Sequence, residues 1–207
     1  MRLLCLIFWL AIAFFGVFIS SCSKNQKENS SQVAQNVKNS ESITTKNTHK
    51  NSFQKENTML KTSWSNKATI PAKYIHSGIG GKNISPFVKI PQIPKGTKSL
   101  LLVVVDHHKI AHDWIHWVAL LEPSVKQLDE NASANPPKDL KQLKNTWGNI
   151  GYEGPKPPPG AKHDYHIVLF ALNKKPDLPD KPSWEQIVKV VKNVTLKKWE
   201  DVSYYGR

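Results

Sequence analysis

Two runs constrain this chain most: "SLLLVVVD", Ser99 to Asp106, and "YHIVLFAL", Tyr165 to Leu172. Each is a continuous apolar, β-branched stretch of strand length. Between them, "DWIHWVALL" is rich in β-branched and aromatic residues and stops at Glu122-Pro123. Proline and glycine dominate the joins, in "IPQIPKG", in "NASANPP" from Asn131 to Pro137, and in "GPKPPPG". The pattern predicts a mainly β domain over residues 62–207, large enough for one proper core. One helix is expected late in the chain. Ser183 with Gln186 makes a capping-box pair, and Trp184, Ile187, Val188 and Val191 fall on one face.

The stretch "VVVDHHKIAHDWIHWVALL", residues 103–121, raises a sharper question, because it holds four histidines. On a helix, His108, His112 and His116 would share a face and suit zinc. The surrounding pattern instead reads strand, loop, strand. In a strand, Trp114, His116 and Val118 point one way, and Ile115 and Trp117 the other. His107, His108 and His112 then fall in a loop as exposed polar residues. No metal ligand set is expected from this stretch.

The first residues describe an export signal. Met1-Arg2 is basic, Leu3 to Ile19 is almost unbroken apolar sequence, and "ISSC" closes it at Cys22. Small residues leading into a cysteine resemble a bacterial lipobox. The expectation is a lipoprotein signal peptide over residues 1–21 and lipidation at Cys22. More than one acyl chain gives a stable anchor, at about 0.8 kcal/mol for each buried methylene. Ser23 follows the cysteine, which resembles sorting to an outer membrane in a cell with two membranes. The other cysteine, Cys5, lies inside the signal, so the mature domain has no disulfide and no thiol nucleophile.

From residue 22 to 61 the chain is mostly Asn, Ser, Lys, Gln and Thr. Such a composition cannot bury enough surface to offset backbone entropy, so a disordered tether is expected. About 40 flexible residues reach roughly 35 Å. The net charge of +13 invites a nucleic-acid reading, but the only arginines are Arg2 and Arg207. Base and phosphate reading favours clustered arginine forks. Attraction to anionic headgroups or plain solubility fits dispersed lysine better, and no nucleic-acid partner is expected.

Several segments resemble one known family. They are "IPAKY", "GKNISPFVKI", "IPKGTKSLLLVVVD", "WIHWV" and "NTWGNIGYEGPKPPPGAKHDYHIVLFAL", in this order across residues 68–207. The domain resembles the phosphatidylethanolamine-binding protein family, in its bacterial Raf-kinase-inhibitor-like branch. That resemblance implies an antiparallel β-sheet sandwich with short peripheral helices. It also implies a small anion pocket built from Asp106, Trp114, His116, Gly154, Pro157, His163 and Tyr165. Imidazoles and a phenol can donate to phosphate oxygens, and a carboxylate can orient a histidine. Protonation of His116 and His163 near neutral pH, favoured by Asp106, would strengthen anion capture in acid.

The sequence departs from the family pattern at three places. Asp106-His107-His108-Lys109 stands where the family reads Asp-Pro-Asp-Ala-Pro, Lys156 enters the mouth loop, and Asp164 replaces a common arginine. The implied function is a membrane-tethered module binding phosphate or a phosphorylated headgroup, with no cofactor. A second reading is a protein-interaction module or inhibitor of an envelope peptidase. A third is a hydrolase with His116 and Asp106 as acid and base; no Ser-His-Asp order, P-loop or HExxH element supports it.

Overall fold

The structure is a computed structural model that describes residues 58–64 and 67–207. The expectations for the signal peptide, for Cys22 and for the tether through residue 57 lie outside the described residues. Among those that are described, no helix is long and apolar enough to cross a membrane.

A small antiparallel sheet has the order β1 (Lys61–Thr62), β2 (Val88–Lys89), β5 (Gln127–Leu128). A larger one has the order β6 (Leu140–Leu143), β4 (Trp114–Leu121), β3 (Ser99–Asp106), β7 (Lys162–Leu172), β8 (Thr195–Gly206). The mainly β, two-sheet architecture expected from the sequence is therefore present. Single 3-10 turns at Ala72–Tyr74 and Ser77–Ile79, with one α-helix, α1 (Trp184–Val191), lie around it.

Strand β3 explains why its sequence has no polar alternation. Leu100, Leu102 and Val104 face a core shared with Val88 and Leu128 of the smaller sheet and with Trp117 of β4. Leu101, Val103 and Val105 face a second core closed by Ile187 and Val191 of α1. A strand covered on both faces needs apolar residues at every position. Each such side chain contributes about 1.5–3 kcal/mol by leaving water.

The helix α1 starts where the capping pair predicts. Gln186 N donates to Ser183 Oγ at 3.2 Å, and Ser183 N donates to Gln186 Oε1 at 2.9 Å. Ile187 and Val191 are buried and Trp184 half-buried, but Val188 is 42% exposed. The apolar stripe is thus narrower than expected, with Val188 on its flank.

Four features depart from the sequence expectation. Strand β7 begins at Lys162, three residues before the apolar run, and β8 covers polar sequence, "TLKKWEDVSYYG". Strand β8 is an edge, where lysines and mixed polarity are common. Packing also starts before residue 62, since Leu60 joins the core and Trp199 Nε1 donates to Thr58 O at 2.9 Å.

The fourth departure matters most for the site. Val104 pairs with Trp117 and Val105 with Ile115, so His116 is an extra residue in β4. This bulge breaks the expected alternation. Ile115 and Val118 share the helix-side core, while Trp117 enters the inter-sheet core. A bulge re-aims side chains, and here His116 joins Trp114 at a cavity mouth.

Candidate functional site

Strand pairing assembles the site at one end of the larger sheet. Asp106, the last residue of β3, is opposite Trp114 on β4 and opposite Tyr165 on β7. His163 precedes Tyr165 by two positions and therefore shares its face. Together with His116 and Pro157 these residues line a cavity of about 360 Å³. Six of the seven residues expected in a pocket are thus brought together. The seventh, Gly154, does not line the cavity. It is buried against the main chain of Tyr74 to His76, with its N–H donating to Asn83 Oδ1 at 2.7 Å.

Asp106 and His163 form the fixed centre. The Asp106 Oδ2 and His163 Nδ1 atoms are 2.6 Å apart, both residues are buried, and Asp106 Oδ1 accepts from His108 N at 2.9 Å. A carboxylate accepts, so Nδ1 carries the proton and Nε2 is an acceptor in the neutral ring. That Nε2 atom is buried without a hydrogen-bond partner. Trp114 Nε1 is also buried and unpartnered. Tyr165 keeps its phenol proton, because burial and then the nearby Asp106 carboxylate push its pKa far up.

His116 differs from the expectation. Its Nδ1 lies 2.6 Å from the Glu153 carbonyl oxygen, so Nδ1 is the donor and Nε2 is an acceptor in the neutral ring. Burial lowers its pKa to about 4, although the Glu153 carbonyl pulls the other way. His116 is therefore neutral at physiological pH and is no cationic anion donor. The expected acid strengthening of anion capture has no contribution from this residue. Asp106 meets His163 and His116 meets the Glu153 carbonyl, so the expected acid–base pair of His116 with Asp106 is not formed.

The remaining walls come from loops. Ile110 and Ala111 belong to the 107–113 loop, Lys156 and Pro158 to the proline-rich loop, and Trp147 to the turn after β6. Trp147 makes edge contacts with Trp114, centroids 4.9 Å apart, and with His116, at 5.2 Å. His108 stacks on His163 with centroids 4.0 Å apart. The expectation that the loop histidines are exposed holds for His112 but not for His107 and His108, which are half-buried.

The phosphatidylethanolamine-binding protein family matches residues 60–204 of the chain. The chain belongs to that family. A UPF0098 protein of Pyrococcus horikoshii is 31% identical over 147 residues, 69% of this chain and 73% of the relative. One from Chlamydia trachomatis is 39% identical over 110 residues, 50% of this chain and 68% of the relative. A solved structure of a Chlamydia trachomatis phosphatidylethanolamine-binding protein homologue matches with TM-score 0.58 and 29% identity, over 72% of this chain and 98% of that one. Escherichia coli YbcL matches with TM-score 0.65 at 23% identity, over 73% of this chain and 99% of that one, and so speaks for the fold alone.

Within this member of the phosphatidylethanolamine-binding protein family, the three departures take defined places. Lys156 is exposed at the cavity wall, as its position in the mouth loop implies. Asp164 sits on the opposite face of β7 and is 2.9 Å from His166 Nε2. His107 leaves the cavity and stands edge-on to His166, centroids 4.6 Å apart. Trp147 was missed as a wall residue. Its signal lay in "NTWGN", a tryptophan among turn residues where no core would bury it.

Proposed function

We propose that this chain is a membrane-tethered binding module whose cavity takes phosphate or a phosphorylated headgroup. The unpartnered indole N–H of Trp114, on a residue that lines the cavity, carries this reading, and the unpartnered His163 Nε2, an acceptor in the neutral ring, suits a protonated phosphate oxygen. An indole N–H can only donate, and a buried donor without an acceptor costs about 1–3 kcal/mol. A ligand rich in acceptor oxygens removes that cost. Lys156 adds a point charge at the rim, while the Ile110 and Trp147 walls limit water. The neutral His116 offers an acceptor, which suits a protonated phosphate oxygen or an ammonium group on the same ligand. Phosphoethanolamine supplies both. The anchoring half of the proposal rests on the apolar run to Ile19 and on "ISSC" ending at Cys22.

Calorimetry with phosphoethanolamine and with inorganic phosphate tests the cavity. Trp114→Phe keeps the packing and removes one hydrogen bond, so affinity should fall on the order of tenfold. Lys156→Gly should weaken binding and flatten its salt dependence, since salt screens an exposed charge. Wild-type affinity in both Trp114→Phe and His163→Ala would place the ligand elsewhere and end the reading.

The tether is tested separately, in cells. Cys22→Ala should abolish incorporation of radiolabelled palmitate. Equal labelling of mutant and wild type would refute lipidation at that residue.

A further inference from the structure

On the face of β7 turned away from the cavity, His107, His166 and Glu200 gather from three segments far apart in sequence. One ligand atom from each lies within 4.8 Å of the other two. We propose that these residues form a mononuclear site for a divalent transition metal, with zinc the best fit. The site is separate from the cavity, and the proposal does not depend on the phosphate reading.

The second ring nitrogen of each histidine is the informative part. His107 Nδ1 is 2.6 Å from Asp113 Oδ1, which leaves Nε2 for a ligand. His166 Nε2 is 2.9 Å from Asp164 Oδ2, which leaves Nδ1, and Nδ1 is the atom beside Glu200 Oε1 at 2.5 Å. Metal-binding histidines typically hand their other N–H to a carboxylate, which fixes the tautomer and raises basicity. Both histidines here carry that outer carboxylate. Two imidazoles and one carboxylate make a donor set that binds zinc with a fourth position open to water.

The neighbourhood is compatible with an ion. The side chains of His107, His166 and Glu200 are 23%, 15% and 32% exposed, so water has access. Lys198 holds the other oxygen of Glu200 at 2.8 Å and leaves Oε1 free to ligate. The ring of Trp184 stands edge-on to His107 at 4.9 Å and limits its rotation. With metal–ligand distances near 2.1 Å, tetrahedral ligand atoms sit about 3.4 Å apart. The His166–Glu200 hydrogen bond must therefore widen by about 0.9 Å as the ion replaces the shared proton. Binding would also pin the 107–113 loop, whose His108 stacks on His163.

The test is titration of the purified full-length chain with Co²⁺ and Zn²⁺. The readouts are the visible d–d bands of Co²⁺, calorimetric stoichiometry and the rise in Tm that specific binding produces. We expect one equivalent with a tetrahedral cobalt spectrum. Glu200→Gln and His107→Ala should each lose at least 100-fold in affinity, and Asp113→Asn or Asp164→Asn should lose about 10–100-fold. His116→Ala and His163→Ala should bind as wild type. Should a variant fail to fold by circular dichroism, the conservative Asn and Gln variants still decide the matter. Absence of stoichiometric uptake overturns the proposal, as does uptake unchanged in Glu200→Gln. Uptake lost in His163→Ala but kept in His107→Ala would also overturn it, by moving the ion to the cavity.

Discussion

Replacing Gly154 by alanine is expected to cost about 3 kcal/mol or more, the upper range for overpacking. A Cβ at this position would lie 2.3 Å from Tyr74 O, 2.6 Å from Ile75 C and 2.7 Å from His76 N. All three are main-chain atoms, so no rotamer change relieves the clash. Nor can the two segments part easily. His76 N donates to Pro155 O at 3.1 Å, and the Tyr152 hydroxyl donates to Tyr74 O at 2.7 Å. The loop must shift as a unit and carry Lys156, Pro157 and Pro158 away from the cavity. For a domain of this size each kcal/mol is worth about 3 °C, so Tm should fall by roughly 10 °C. Gly160→Ala is the control, because its added Cβ meets no atom within 4 Å although its φ is +80°. It should cost about 1 kcal/mol, from backbone strain alone. Equal thermal shifts in the two variants would show that the close approach at Gly154 does not limit stability.

Much of this site was legible through the family resemblance, and strand register supplies the physical reason that the residues it names meet. The run Ser99 to Asp106 ends in its only acid, and the residue at the end of a central strand meets both neighbours. That is why Asp106, Trp114, His163 and Tyr165 converge. The bulge at His116 was not legible. Whether an extra residue is accommodated depends on the facing strand, and "WIHWV" alternates plausibly without one. Orientation of the histidines was also hidden. The sequence spacing allowed Asp106 to serve His116, but the carboxylate meets His163, 57 positions away, and His116 turns to the Glu153 carbonyl. The far-face cluster escaped for a similar reason. His107, His166 and Glu200 lie in separate segments, and only the pairing of β3, β7 and β8 brings them together. Edge strand β8 carries too little apolar signal to be read as a strand without its partner.

The second large effect is a dependence of stability on pH that traces to His116. Burial lowers its pKa in the folded chain to about 4, against an ordinary value of 6.5. The unfolded chain therefore takes up a proton on this residue at higher pH than the native state does. Where the unfolded state binds more protons, stability rises with pH. The contribution is fully present above about pH 6.5 and is lost progressively as pH falls to about 4. Two and a half pKa units correspond to about 3 kcal/mol. Urea unfolding of wild type and His116→Asn at intervals from pH 7.5 to 4 isolates this term. The asparagine amide can still donate to the Glu153 carbonyl but does not titrate in this range. All carboxylates are common to both proteins, so their contributions cancel in the difference. Wild type should lose about 3 kcal/mol more than the variant across the interval. Parallel curves would mean that His116 takes up its proton as readily in the native state as in the unfolded one, and the cavity would then gain a cation in mild acid.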